Sequence, residues 1–435
     1  MIQTVSWASN AMNLLERCRS RYGPTFTVRL LVPGTTVFVS SPETAKMVLA
    51  ANPSTFTSGE ANVIMEPVLG SRSVVMLDGD DHLGERRRLL QALHVDRLNR
   101  HRTVIEEVVD RELAGWRAGQ SFPLQSRMEA VSFEVIMRTI FGADEGPRLN
   151  AFRDLFLRVM KLTADRASFA LLMSLTPNWG RYSRTFRKYM REVDAFIRTE
   201  VERRRIDPRV HERADVLSQL IVASREGPGI TDAVLRDQLI TLLVAGYETT
   251  ATGLAWSVER LVRNPEALSA LEDELASDGE GPRLEATIKE ALRVRTLAPV
   301  VFRKLRADTV IGDAGELPAG TILGVSPHLM HRLPEVYPDP AEFRPERFMT
   351  SRPPDTYTWT PFGGGVRRCL GASFSLFEMK IVLAAILRRA SLRATDARDE
   401  PPKRLGIIYR PAHGAMVTVA ALKQGSPSGA VRAPG

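Results

Sequence analysis

Apolar positions recur every three to four residues over most of the chain, which predicts a protein built mainly of helices. The first amphipathic stretch runs from Ala11 to Arg21. Residues 26–32 and 35–39 are β-prone and flank Pro33-Gly34, a pattern that predicts a hairpin with its turn. Ser41-Pro42-Glu43 opens a further helix, with proline at its first position. Residues 52–76 lose the period while staying rich in Val, Ile, Met and Leu. Helical periodicity resumes from about 80 to 205 and breaks near Gly119–Pro123, Gly142–Pro147 and Pro177–Gly180. Ile230-Thr231-Asp232 then starts a helix of roughly 33 residues that ends at Asn264-Pro265. Much of its circumference is apolar, so it should run through the middle of the fold. A helix near 283–295 follows, then short strands around 301–305, 308–311 and 321–325. Residues 332–362, rich in Pro, Asp and aromatics, read as an ordered meander. A glycine-rich loop, a helix from Ala372 to about Arg389 and a hairpin-like segment at 404–420 close the chain. The expected class is mainly α with a small β-rich part assembled from distant segments.

Composition narrows the function. The 435 residues exceed one average domain, yet they contain no Ser/Gly-rich bridge and no fixed-period repeat. Residues 1–422 are therefore expected to form one unit, with 423–435 as a disordered tail. Two cysteines exclude a disulfide scaffold and a multi-thiolate metal site, which suits a reducing, cytoplasmic setting. No run of ~18 apolar residues predicts a transmembrane anchor, and no charged-then-apolar signal pattern begins the chain. The net charge of +8 comes almost wholly from arginine. Such a balance suits an anionic partner, or it reflects a codon bias toward arginine. Basic and aromatic residues do not interleave in any nucleic-acid motif, so nucleic acid is not an expected partner.

The chemistry concentrates at Cys369. It stands in Phe362-Gly363-Gly364-Gly365-Val366-Arg367-Arg368-Cys369-Leu370-Gly371, directly before a helix. Two neighbouring arginines and a helix N-terminus favour its ionisation. Glycines there would let backbone approach something flat and bulky. Cys18 lies far away, so the inference is a single thiolate ligand to a large planar cofactor, against the alternative of a structural cysteine in a glycine turn.

Three further constellations stand out. On the long helix, Ala245-Gly246-Tyr247-Glu248-Thr249-Thr250 puts an acid beside a hydroxyl in apolar surroundings. Such an acid is costly unless hydrogen-bonded or functional; the alternative is an acid turned to solvent and a threonine bonded back to a carbonyl. Glu290 and Arg293 share one helix face at i,i+3. His82 and Arg86 share another at i,i+4. The other histidines, at 94, 101, 211, 328, 331 and 413, show no metal-site spacing and are read as structural. A phosphate loop, a nucleophile elbow and a dinucleotide fingerprint are all missing.

These motifs, in this order and at this spacing, resemble the cytochrome P450 family of haem-thiolate monooxygenases from about Tyr22 to Val419. The family's F-x-x-G-x-R-x-C-x-G is matched by Phe362, Gly365, Arg367, Cys369 and Gly371. The resemblance implies a cytochrome P450 fold, with haem b (iron protoporphyrin IX) between the long helix and the Cys-loop helix. Cys369 would be the axial iron ligand, whose electron donation favours O–O cleavage. Backbone N–H groups after it would tune that donation. Phe362 would pack near the sulfur, Arg367 would pair with a propionate, and His82, Arg86 and Arg303 would supply the remaining propionate donors. Arg368 would face solvent. Ala245 and Gly246 would border the haem beside a local kink, and Glu248 with Thr249 would relay protons. Glu290 and Arg293 would join Arg347 in a structural triad beneath the haem.

The implied reaction consumes an organic substrate, O2, two electrons and two protons, and yields a hydroxylated or epoxidised product and water. The substrate would lie near Leu242, Ala245 and Thr249, walled by the 60–76 loop, the 160–185 region, Ala298–Phe302 and Ile407–Tyr409. Those stretches are mostly apolar, which favours a small lipophilic substrate. No flavin or nicotinamide segment is attached, so ferredoxin and ferredoxin reductase are the expected electron donors. Docking is expected around Arg87, Arg88 and Arg368. The expected state is a monomer. Many relatives carry a proline-rich lead that this chain lacks, and it resembles soluble bacterial members. Peroxide-using or oxygenated-lipid-rearranging relatives, and a non-catalytic haem- or ligand-binding protein, are the alternatives.

Overall fold

The fold is seen in a computed structural model that describes residues 2–93, 98–142, 146–164, 184–226, 229–277 and 279–423. The break expected at Pro177–Gly180, residues 424–435 of the expected tail, and His94 lie outside these.

The first helix runs Ile2–Tyr22, longer than its amphipathic part. Asn10 leaves helical geometry (φ −157°, ψ 87°), and its side chain accepts from the Asn13 N–H at 3.1 Å, capping the second half. The expected hairpin pairs Thr25–Arg29 with Thr35–Val39. These join a five-stranded sheet in the spatial order Thr25–Arg29, Thr35–Val39, Ile322–Val325, Val301–Leu305, Phe56–Thr57. Segments nearly 300 positions apart meet in it because the parallel pairing of Thr36–Val39 with Ile322–Val325 requires a long crossover. The sheet, the first helix and Pro42–Leu49 enclose two smaller apolar cores.

The largest core surrounds the central helix, Asp232–Val262, 31 residues long. Thr231 starts it by accepting the Val234 N–H. After Val262, Asn264-Pro265 ends it, and Pro265 opens the next helix, Pro265–Ser277, which the sequence reading passed over, as it did Val216–Glu226. The central helix packs against Leu124–Phe141, Pro282–Val294 and the Cys-loop helix Ala372–Arg389. Glycines permit the closest approaches. A Cβ at Gly246 would lie 2.8 Å from Ile136 Cδ1, and one at Gly253 would lie 2.9 Å from Met379 Cε.

The segment expected as a hairpin at 404–420 divides instead. Pro402–Leu405 pairs with Ile408–Pro411, while Met416–Leu422 pairs with Ser121–Pro123 and Ala390–Ala394. Gly414 (φ +81°) and Ala415 (φ +53°) turn the chain between the two sheets. The buried triad forms as expected: Arg293 is bidentate to Glu290 at 2.7 and 2.8 Å, and Arg347 reaches the same carboxylate at 3.3 Å. Arg293 also donates to the carbonyls of His331, Pro340 and Glu342, which fixes the meander. Its desolvated charges are thus fully bonded, the condition under which a buried ion pair is tolerable.

Candidate active site

A cavity of about 730 Å³ separates the central helix from the Cys loop. Cys369, Phe362 and Gly371 line one wall; Ala245, Gly246 and Thr249 line the other. His82, Arg86, Arg303 and Arg367 gather along its edge, so ten residues separated by up to 289 positions in sequence meet at one space.

The Cys loop is a tight turn closed by the Cys369 N–H on the Phe362 carbonyl at 2.9 Å. Gly363 and Gly365 adopt positive φ (+67° and +63°). A Cβ at Gly365 would meet the Leu49 carbonyl oxygen, so this glycine serves the packing of the loop on Pro42–Leu49, not the approach of a ligand. Gly246 borders the cavity, and its missing side chain makes room for Ile136. The sulfur of Cys369 is open to the cavity and enclosed by protein on its other sides. That enclosure pushes the thiol pKa up, and the Gly371 N–H, Arg368 and Arg86 oppose it. Local charge alone therefore does not favour the thiolate as the sequence suggested; burial outweighs it. Arg368 is also corrected. It is half-buried, lines the cavity and lies over the Phe362 ring at 6.0 Å.

The edge cluster is unusual in charge. Burial, then Arg367, Arg86 and Arg303, push the His82 pKa down to about 4. His82 Nδ1 is buried without a hydrogen-bond partner among the described residues. Burial and Arg367 lower Arg303 to about 10, and burial and Arg86 lower Arg367 to about 10. Asp78, which sequence reasoning missed, is the carboxylate among them. It binds Arg367 at 2.5 Å and accepts from the Ser58 and Gly59 N–H groups. Its place just before the helix Gly79–Ala92 was the available signal, although the side chain caps no helical N–H. A buried imidazole nitrogen with no partner among the described residues, beside mutually repelling cations, fits a group bearing two carboxylates, as haem does.

On the opposite wall residues 245–250 are helical throughout. Thr249 donates to the Ala245 carbonyl at 2.6 Å, and Thr250 bonds Ser375 of the Cys-loop helix at 3.1 Å. Glu248 does not line the cavity. Burial and the nearby Glu129 push its pKa up to about 7, against Arg410.

The rest of the cavity is mostly apolar. Val63, Ile64 and Met65, Ala298–Phe302, and Ile407–Ile408 all face it, with Leu242 above. Trp7 of the first helix also reaches it, a contribution the sequence reading did not foresee. Residues 165–183, most of the expected 160–185 wall, lie outside the described residues. Of the expected docking arginines, Arg87 is exposed, whereas Arg88 is half-buried and paired with Glu85.

Comparison with known proteins agrees with this arrangement. Residues 1–419 match the cytochrome P450 family. A Mycobacterium tuberculosis protein named cytochrome P450 135B1 is 38% identical over all of this chain and 92% of its own. A second from that organism, cytochrome P450 138, is 34% identical over 96% of this chain and 94% of its own. The cyanobacterial CYP120A1, solved with retinoic acid bound, superimposes with a TM-score of 0.81 over 96% of both chains at 20% identity, which speaks to the fold alone.

Proposed function

The chain belongs to the cytochrome P450 family of haem-thiolate monooxygenases, and we propose that Cys369 holds the haem iron for oxidation of a small lipophilic substrate. The observation that carries this reading is one cavity faced by Cys369 on one side and Thr249 on the other. Haem, when bound, supplies the reductive activation of O2 that yields a hydroxylated or epoxidised product and water.

The chain's own residues do the rest. His82, Arg86, Arg303 and Arg367 are suited to the two propionates, which would relieve their mutual repulsion. Iron coordination would deprotonate Cys369 outright, overriding its raised thiol pKa. The Gly371 N–H would then donate to the sulfur and moderate its electron donation. Burial and Glu129 raise the Glu248 pKa to about 7, so near neutral pH it is suited both to hold and to give up a proton. The Thr249 hydroxyl, next along the helix and facing the cavity, would pass it on. This acid–alcohol pair favours monooxygenation over peroxide use, lipid rearrangement or simple ligand binding. The apolar walls near Leu242, Val63 and Ile407 favour a lipophilic substrate. Ferredoxin and its reductase are the proposed electron source, in the cytoplasm.

Reduced protein with carbon monoxide tests the ligand: wild type should give a thiolate-type difference band, and Cys369→Ser should lose it while staying folded. A screen of lipophilic compounds by optical difference spectroscopy, with product analysis, tests the reaction. Bound compounds that are never oxidised, despite reducible thiolate haem, would overturn it in favour of ligand binding.

A further inference from the structure

The cavity wall is built from two separate cores. Phe362 of the Cys loop and Leu242 of the central helix pack on the largest core. Trp7 and Ala11, which also line the cavity, belong to the smaller core that the first helix forms with Phe38 and Tyr409. The space therefore runs from the Cys loop to the first helix. Trp7 is a fixed part of that second end. It is 4% exposed, and its ring lies 5.6 Å from Phe38 and edge-on to Phe302 at 6.3 Å. Arg404 clamps it twice: the guanidinium lies 5.5 Å from the indole centre, and Nη1 donates to the Trp7 carbonyl at 2.7 Å. Arg404 Nε also donates to the Gly406 carbonyl at 3.0 Å, which ties the clamp to the turn that carries Ile407. On the other side, the Gln3 and Thr4 side chains accept the Arg29 and Leu31 N–H groups at 2.8 and 3.2 Å. That contact docks the helix start on the β-hairpin, whose turn residues Val32 and Pro33 line the same cavity. Past the break at Asn10, the Ala11 N–H donates to the Tyr409 hydroxyl at 3.0 Å.

We propose that Trp7 is a specificity-determining residue: it closes the end of the cavity away from Cys369 and sets the length of substrate tail the protein accepts. The substrate class is then an elongated lipophile, with its reacting carbon beside the haem and its tail against the indole. The proposal rests on the assignment of Cys369 as the haem ligand. Val32, Pro33, Ile407 and the indole give this end an apolar lining. Among the described residues, the charged groups of the cavity outside the Cys loop and its edge cluster are Arg404 and the Glu60–Lys304 ion pair at 2.6 Å. Each methylene buried in such a space should strengthen binding about fourfold, from ~0.8 kcal/mol per group. The gain stops where the tail meets the indole. A ring held by two aromatic neighbours and a guanidinium cannot swing aside as a flexible side chain would, so the next methylene stays in water or strains the core. Arg404 acts through Trp7 and is a positioning residue.

The experiment titrates haem-loaded protein with N-alkylimidazoles from butyl to tetradecyl. The imidazole nitrogen anchors one end on the iron and gives a nitrogen-ligation difference band, so tail length is the one variable. Wild-type affinity should climb about fourfold per methylene up to a cut-off length and then level or fall. Trp7→Ala should move the cut-off to longer tails, and Trp7→Phe should move it less in the same direction. Val32→Phe, at the half-buried hairpin turn, should move it to shorter tails. Butylimidazole should bind all four proteins alike. Cut-offs that stay in place, or a loss of affinity equal at every tail length as general loosening would give, overturn the proposal. Should Trp7→Ala fail to fold or to hold haem, Trp7→Phe and Val32→Phe decide by their opposite shifts. Failure of the underlying reading looks different: wild type would then give no nitrogen-ligation band with any tail.

Discussion

Glu378 on the Cys-loop helix should make the protein lose stability as pH rises through neutrality, and Glu378→Gln should remove that loss. The carboxyl is 1% exposed, and the Ser132 hydroxyl, at 2.7 Å, is the donor to it. Burial pushes its pKa up to about 8, with Ser132 pulling the other way. A carboxyl raised in the folded state is protonated in both states below its unfolded value near 4.5, so it contributes no pH dependence there. Above that value the unfolded chain ionises freely while the folded chain does not. Stability then falls by about 1.4 kcal/mol per pH unit until the folded value is passed, which amounts to about 3 kcal/mol by pH 7. Glutamine mimics the protonated acid in shape and cannot ionise. Chemical denaturation of wild type and Glu378→Gln, followed by far-UV circular dichroism from about pH 5 to pH 8, measures the difference. The two proteins should be of similar stability near pH 5 and diverge in favour of the variant above pH 6. Parallel pH profiles would refute the reasoning, because they would mean that the carboxyl finds enough polar support to ionise inside the fold.

Other expectations follow from the same structure. Thr249→Ala should leave haem bound but divert electrons to hydrogen peroxide, with product per reducing equivalent falling at least roughly tenfold; an unaffected ratio counts against the relay. Glu290→Gln leaves the Arg293 and Arg347 charges buried without a counter-ion. It should cost about 3 to 5 kcal/mol and lower the yield of haem-loaded protein, read by denaturation midpoint and Soret absorbance. Reduction by an acidic ferredoxin should slow steeply with salt and with Arg87→Glu, whereas Arg88→Gln should matter less because Glu85 already holds that side chain. Salt-independent reduction would remove the electrostatic docking idea.

What the sequence revealed and what it hid divide along physical lines. The central helix and the β-hairpin were legible because each depends on local spacing and on burial that apolar periodicity announces, whereas the buried Glu290–Arg293–Arg347 triad was foreseen only through the family resemblance, since i,i+3 spacing alone fits a surface pair equally well. The helices Val216–Glu226 and Pro265–Ser277 were passed over, and the end of the chain was misread as one hairpin. A strand's partner is set by tertiary contact, and Met416–Leu422 pairs with residues almost 300 positions away. At the site, the identity of Cys369 was evident, but the reasons for its glycines were not. Whether a missing Cβ faces a ligand, Ile136 or the Leu49 carbonyl is a fact of packing. Asp78 went unread for the opposite reason, since an acid just before a helix passes as a cap until its carboxylate is seen on Arg367.

The proposed relay separates two glutamates that burial alone does not distinguish. Glu248 and Glu378 both sit in surroundings that raise their pKa, to about 7 and about 8, and burial is the first cause in each. Among the described residues, the Ser132 hydroxyl is the one hydrogen-bond partner of the Glu378 carboxyl, and burial is opposed by that bond alone. At Glu248 the Glu129 carboxylate and the Arg410 guanidinium act with opposite sign, and the next residue, Thr249, lines the cavity. In the proposed relay the feature that separates them is position: Glu248 stands next in the chain to a hydroxyl that lines the cavity, whereas Glu378 bonds a buried serine.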